Sequence, residues 1–271
     1  MKHKLAIAAL SLAPFCAFSE EAKEEKSPYK ASAELGALYK TGNGKSADIL
    51  AGFDADYEKD LWRASLKFDL LIRKKEVDVK DDTGKVIDED FATSDQKWNL
   101  ALQVNHTLDT NTKNYLYGNG AYEDDKFNGF DNKWSVSAGW GRRWYETEVS
   151  TFDADFGPGF KRDVISSYST ELPDDEFEFT PSEKRDSVIV QAQMTYTRKL
   201  NEHVEFKQFA VAKWATKSGE NSQFKAETSI TTKLIETLQL KFSFKVDHNT
   251  DVDANKDNTL TQTGITLVYS F

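Results

Sequence analysis

Cysteine is nearly missing from this chain. Cys16 is the single one among 271 residues. It lies in an N-terminal segment expected to be removed, so no disulfide and no thiolate metal site is expected in what remains. No run of 18 or more apolar residues occurs, so no transmembrane helix is predicted. Positive charge is in deficit: 35 Lys and Arg face 45 Asp and Glu, a formal net charge of −10. That balance excludes nucleic acid as a partner, because phosphates want a basic surface. Helical periodicity is absent after the N-terminal segment. No GxSxG, HExxH or comparable catalytic motif occurs. No cofactor is expected, and the protein is read as not an enzyme.

The one sustained apolar stretch is N-terminal. Lys2, His3 and Lys4 precede an apolar run from Leu5 to Phe18, and Ala17-Phe18-Ser19 offers a small-x-small cleavage site before Glu20. Residues 1–19 are therefore read as a secretory signal peptide. Phe15 stands where a lipid-attachment motif centred on Cys16 needs a small residue, which argues against a lipoprotein. Cleavage would remove Lys2 and Lys4 and no acid, leaving 33 bases against 45 acids and a net charge near −12. Residues 20–28 are charged and aperiodic, a flexible periplasmic lead-in.

From residue 29 to residue 271 the chain repeats one pattern, about a dozen residues of strict alternation followed by a turn. Trp62, Ala64, Leu66, Phe68, Leu70 and Ile72 share one face, opposed by Arg63, Ser65, Lys67, Asp69 and Arg73. Leu238, Leu240, Phe242, Phe244 and Val246 oppose Lys241, Ser243, Lys245 and Asp247. The last stretch places Thr263, Ile265, Leu267, Tyr269 and Phe271 together and stops on an aromatic residue. Twelve such segments are predicted. The segment near residues 114–122 is loosely patterned, and the one at 204–214 slips phase at Phe209–Val211, which predicts a bulge. Pro158, between Gly157 and Gly159, predicts another. Gly139 and Gly141, on the opposite face to Trp140, are expected to leave room for larger neighbours.

The connections alternate in length. Those after even-numbered segments are short (58–60, 109–111, 145–148, 201–203, 236–237). Those after odd-numbered ones are mostly long and acidic (75–96, 123–132, 161–184 and 249–258), with 41–44 and 217–222 the brief exceptions. Outer-membrane barrels have an even strand count, short periplasmic turns and longer external loops. A soluble antiparallel sandwich has no reason to alternate its loops in this way. The chemistry points the same way. A soluble barrel turns its apolar face inward, a membrane barrel turns it outward between two aromatic belts. Tyr29, Tyr57, Trp62, Tyr115, Trp144, Phe152, Tyr269 and Phe271 are expected at one rim, and Tyr39, Trp98, Trp134, Phe160, Trp214 and Phe224 at the other. The predicted fold is all-β, a transmembrane antiparallel β-barrel of about 12 strands, outer-membrane type.

Tyr117 to Asp163 carries an aromatic-rich strand, an acidic loop with Phe127-Asn128-Gly129-Phe130, the string Ala138-Gly139-Trp140-Gly141-Arg142-Arg143, and Phe156-Gly157-Pro158-Gly159-Phe160. This stretch, about a fifth of the chain, resembles the YdiY-like family of salt-induced outer-membrane proteins, a domain-of-unknown-function family (number 481). The resemblance implies an outer-membrane barrel with a role in the salt or osmotic response of the envelope. It lends no substrate.

The opposite face supplies the lumen candidates Asp54, Arg63, Lys67, Asp69, Arg73, Arg143, Asp153, Asp155, Lys241 and Lys245, which mix both signs. They fit a narrow hydrated pore that selects solutes by charge. They also fit a lumen filled by crosslinked ion pairs, which would leave a non-conducting barrel that binds a partner or ligand through its acidic loops. A barrel-embedded hydrolase is the remote alternative. Its base would be His248, beside Asp247, Asp251 and Asp253. Asp251, Asp253, Asn255 and Asp257 have calcium-loop spacing, but Lys256 and Gln262 replace the Gly and Glu such a loop needs. A polar hairpin loop is the simpler reading, and no metal site is assigned. Phe177 and Phe179 are partner-contact candidates. Expected partners are outer-membrane lipid and lipopolysaccharide, the barrel-assembly machinery through Phe271, and small solutes or ions.

Overall fold

The computed structural model describes residues 27–40, 46–80, 86–109, 111–127, 129–171, 177–252 and 257–271. The signal segment 1–19 and most of the lead-in lie outside them, as do Asp253 and Asn255. Among the described residues no helix is long and apolar enough to cross a membrane.

The strands are β1 (Tyr29–Lys40), β2 (Ser46–Lys59), β3 (Trp62–Lys80), β4 (Val86–Asp109), β5 (Asn114–Asp125), β6 (Phe130–Glu146), β7 (Ser150–Ile165), β8 (Tyr168–Glu171), β9 (Phe177–Thr180), β10 (Glu183–Lys199), β11 (Val204–Ala215), β12 (Gln223–Lys233), β13 (Leu238–Asn249) and β14 (Thr259–Ser270). Twelve of them close one antiparallel barrel, and β8 and β9 form a separate two-stranded sheet. Closure is made between β1 and β14, where Leu35 lies opposite Leu267 and the Phe271 N–H donates to the Ala31 carbonyl at 3.0 Å. A closed sheet has no edge with unpaired backbone groups, the condition for crossing hydrocarbon with strands.

Alternation sorts the side chains. On β14, Gly264, Thr266 and Val268 are buried while Ile265, Leu267 and Tyr269 are exposed. On β6, Ser135 and Ser137 are buried and Val136 is half exposed. Large apolar residues therefore cover the outside while Lys133, Glu123, Asp125 and Asp247 are buried inside. This is the inverse of a soluble barrel. Aromatic contacts ring both ends of the apolar band. Tyr29 meets Tyr57 at 5.0 Å and Tyr269 meets Phe271 at 5.9 Å at the short-turn end. Trp98 stacks on Tyr122 at 5.0 Å, Trp134 packs on Phe160 at 5.5 Å, and Trp214 meets Phe224 at 5.7 Å at the long-loop end. The Tyr39 side chain lies outside the described set.

Several expectations are corrected. Residues 75–96 are not one loop, since β3 runs on to Lys80 and β4 starts at Val86, pairing through Val79 and Asp88. Residues 123–132 likewise belong largely to β5 and β6, and 161–184 contains the end of β7 and the β8–β9 hairpin. Charged residues at alternate positions are as compatible with a strand leaving the bilayer as with a loop. Strand β11 has no bulge. It pairs without a register shift on both sides, and Phe209 and Val211 line the interior. Their odd phase was an apolar patch inside the barrel. Pro158 stays in register opposite Val190. The bulges fall elsewhere, for instance between Arg143 and Tyr145 against β7. Tyr115 is not part of the aromatic belt at the short-turn rim, where it is expected. It is fully buried in the interior, and Gly141 makes room for its ring, which lies 2.4 Å from where a Gly141 Cβ would be. Gly139 serves a closer approach, because a Cβ there would sit 2.2 Å from the Phe156 carbonyl oxygen.

Candidate functional site

The lumen is crossed by ion pairs joining strands that are not neighbours in the sheet. At the short-turn end, Arg63 of β3 reaches Asp153 of β7 at 3.1 Å, and Arg143 of β6 meets the same carboxylate at 3.1 Å. Arg63 lies over the Tyr115 ring, 4.7 Å from its centroid, and the Tyr115 hydroxyl donates to Asp155 at 3.2 Å. Gln103 donates to Asp155 at 3.1 Å and accepts from Gln193 at 2.8 Å, so an amide bridge crosses from β10 to β4.

The middle layer is a charge lattice. Glu227 of β12 accepts from Lys67 at 2.7 Å and pairs with Lys241 at 3.0 Å. Lys241 also meets Glu34 at 3.1 Å, and Lys245 meets Asp69 at 2.7 Å. The long-loop end is denser. Lys97 of β4 lies 3.0 Å from Asp125 of β5 and 2.5 Å from Asp247 of β13. Lys133 of β6 lies 2.9 Å from Glu123 and 3.3 Å from Asp125. Lys225 of β12 pairs with Glu123, and Lys161 pairs with Asp163. The turn between β11 and β12 folds inward there, where the Asn221 amide donates to Asp163 at 3.1 Å and to Asn249 at 3.2 Å.

Between these layers lie three main cavities that share walls along the barrel. Their volumes are about 180 Å³ toward the loop end, about 300 Å³ at mid-barrel, and about 470 Å³ at the turn end. Lys67, Asn119, Gln193, Phe209 and Glu227 separate the first from the second. Gln103, Gln193, Thr195 and Lys207 separate the second from the third.

The structure places all ten lumen candidates of the sequence on the inner face. Arg63, Arg143, Asp153 and Asp155 form the turn-end layer, and Lys67, Asp69, Lys241 and Lys245 the middle one. Asp54 lines the mid-barrel cavity. Arg73 sits apart from these layers, making a two-pronged pair with Asp48 at 2.9 Å and covering the Phe127 ring at 5.2 Å. The sequence reading missed Glu123, Asp125, Lys133, Lys161 and Asp163, which it placed in loops or left out. Their alternation, continued past Tyr122 and Phe160, was the available signal.

The metal pattern falls partly outside the described residues, and the hydrolase pattern does not assemble on the acids that are described. Asp251 is held by Arg185 at 2.6 Å, and Asp253 and Asn255 lie outside the described residues. Carboxylate oxygens of Glu123, Asp125 and Asp247 approach within 4.8 Å of one another, close enough to share a metal. Lys97, Lys133 and Lys225 already neutralise them, so no cation is assigned there. His248 faces outward on the aromatic belt against Phe224, with Nδ1 2.8 Å from the Thr259 hydroxyl, while Asp247 points into the lumen. Among the described residues His248 forms no pair with Asp247 or Asp251. Phe179 is exposed beside the barrel, and the Phe177 side chain lies outside the described set.

Comparison with known proteins agrees with this architecture. The translocator domain of the autotransporter NalP from Neisseria meningitidis superimposes with a TM-score of 0.51 at 10% identity, covering 92% of this chain and 90% of that one. The COG4313 outer membrane channel from Pseudomonas putida F1 gives a TM-score of 0.46 at 9% identity, covering 90% and 95%. The uncharacterized protein YdiY of Escherichia coli (strain K12) is 22% identical over 157 residues, which are 58% of this chain. That match spans about half of YdiY, 55% of its length. The family model described as protein of unknown function, DUF481, matches residues 33–271. The chain is thus an outer-membrane-type β-barrel that belongs to the DUF481 family.

Proposed function

We propose that this protein is a narrow, charge-gated pore of the Gram-negative outer membrane that passes small solutes or ions. One observation carries the reading. Three cavities follow one another along the barrel, and the side chains between them are ion-paired or amide-paired across the lumen rather than packed as an apolar core. Charged side chains around water-sized spaces are the material of selectivity filters. Long side chains such as Lys67 and Lys241 can change rotamer without disturbing the barrel wall.

The same pairs supply a physical route to a salt response, which the family resemblance implies. Raising ionic strength from about 0.1 M to 1 M shortens the Debye length from roughly 10 Å to 3 Å. Pairs beside the cavities are only part-buried, so salt weakens them in part, less than it weakens exposed pairs, and the layers loosen. The inward-folded Asn221 and the dense loop-end cluster favour a second reading, a non-conducting barrel whose external loops bind a partner.

The test is conductance of the folded protein in a planar bilayer, recorded across a salt gradient. Discrete steps that grow more than proportionally with bulk conductivity, and whose selectivity shifts in Arg63→Gln or Lys67→Gln, are expected. Silence from heat-modifiable, folded protein overturns the pore and leaves the second reading.

A further inference from the structure

Among the described residues the buried loop-end cluster does not balance. Five lysines (97, 133, 161, 213 and 225) face four carboxylates (Glu123, Asp125, Asp163 and Asp247). Four of those lysines have a carboxylate partner. Lys213 has none among the described residues, and its ammonium donates to the Ser135 hydroxyl at 2.8 Å. A half-buried ammonium satisfied by one hydroxyl has two donors left over.

Its neighbours are unsatisfied as well. In register, Lys213 lies between Gln191 of β10 and Gln223 of β12. Both amides face the interior and are buried, 1% and 6% exposed. Neither the oxygen nor the nitrogen of the Gln191 side chain has a hydrogen-bond partner, and the Gln223 nitrogen has none. Leaving such groups unmet is costly in a buried site, and these three adjacent residues all carry donors without an acceptor among the described residues. An anion would supply acceptors to the ammonium and to both amide nitrogens.

Below this polar cradle the wall changes character. Lys213 and Val211 line the 180 Å³ cavity together with Phe209, Leu50, Leu71, Ala101 and Ala121. The charged residues on its wall, among them Lys67, Asp69, Glu227 and Asp247, are held in the lumen ion pairs. Gln223 joins Lys213 on a small space of about 10 Å³. Leu50 and Leu71 are buried on the lumen side, opposite each other in register. At a rise of about 3.4 Å per residue, Val211 lies roughly 7 Å and Phe209 roughly 14 Å along the strand from Lys213. An apolar wall leading to a surplus positive charge describes an amphipathic anion.

We propose that the loop-end cavity binds a small monocarboxylate with an apolar body, its carboxylate on Lys213 between Gln191 and Gln223 and its body along Val211, Phe209, Leu50 and Leu71. The site does not depend on the pore reading, since a closed barrel holds the same ligand.

The test is titration calorimetry on the full chain folded in zwitterionic nanodiscs, with hexanoate and benzoate as probes. Hexanamide and chloride serve as the uncharged and the non-apolar controls. Saturable binding at one equivalent is expected for a carboxylate probe. Hexanamide, chloride, and hexanoate with Lys213→Met should each bind at least tenfold more weakly, and Lys113→Met, in a distant turn, should bind as the parent. Gln223→Glu places a carboxylate beside Lys213 in a nearly isosteric side chain. It should fold and lose hexanoate at least tenfold, which keeps the proposal testable if Lys213→Met fails to fold. Absence of saturable binding, equal binding by chloride or hexanamide, or unchanged binding in folded Lys213→Met or Gln223→Glu overturns it. Ligand-free bilayer recordings on the same preparation report on the pore separately, so either proposal can fall without the other.

Discussion

Lys67 Nζ lies 2.7 Å from Glu227 Oε2, although their strands, β3 and β12, sit on opposite sides of the barrel and 160 residues separate them in the chain. Glu227 is also the counter-charge of Lys241 at 3.0 Å and lies 3.9 Å from Lys245. Glu227→Ala therefore takes a counter-charge from three ammonium groups at once, leaving Lys241 to Glu34 and both Lys67 and Lys245 to Asp69. Removing one partner of a buried pair costs about 3–5 kcal/mol, and hydration from the adjoining cavities should hold the loss here to about 2–3 kcal/mol. Reversible urea unfolding in lipid measures it. Lys67→Met added to Glu227→Ala should recover part of the loss, and full additivity of the two changes would mean that the contact carries no coupling.

Glycine substitutions should separate cleanly by site. In Gly139→Ala the new Cβ would meet the Phe156 carbonyl at 2.2 Å and the Gly157 Cα at 2.6 Å, both backbone atoms that cannot swing aside. Strands β6 and β7 must part, and a loss of folded protein on semi-native gels is expected. Nothing lies within 4 Å of a Cβ at Gly118 or Gly120, both on the outward face of β5. Gly118→Ala should be neutral or stabilising by about 0.4–1 kcal/mol, through the unfolded chain. Equal behaviour of the two variants would contradict the close approach.

The outward face should penalise charge. Leu102 is 47% exposed in the middle of β4, between the two aromatic belts. Leu102→Arg should cost about 2–4 kcal/mol in a bilayer of matched thickness. In a soluble barrel the same exposed change would be nearly neutral, so the unfolding midpoint in lipid discriminates the two environments.

Lys97 gathers Glu123, Asp125 and Asp247 at 3.5, 3.0 and 2.5 Å. Lys97→Met leaves these carboxylates to Lys133 and Lys225 and adds net negative charge at the loop end. If this layer lies in the conducting path, the reversal potential across a salt gradient should move toward cation preference and conductance should rise. An unchanged reversal potential in an active channel would place the path elsewhere.

Much of this was legible in the linear chain. Period-two alternation put Arg63, Lys67 and Asp69 on one face and Leu66, Phe68 and Leu70 on the other, and the structure places the first set inside and the second outside. Where the reading failed, a local signal was ambiguous. Phe209 and Val211 looked like a slipped phase because an apolar residue on a lumen face is unexpected, yet they line a cavity. Tyr115 looked like a belt residue because aromatics at strand ends usually are. Only the space beside Gly141 shows why it turns inward.

The sequence by itself determined the strands, their approximate number, the side of the wall each residue takes and the aromatic belts, because a strand's alternation is a property of neighbouring residues. The tertiary structure alone decided who meets whom across the lumen. That Lys97 finds Asp247, that Asn221 folds in over Asp163, and that Lys213 has no carboxylate among the described residues depend on the stagger at which twelve strands close and on how far each side chain reaches over the gap. Those are distances between residues dozens to more than a hundred positions apart, and no local periodicity encodes them.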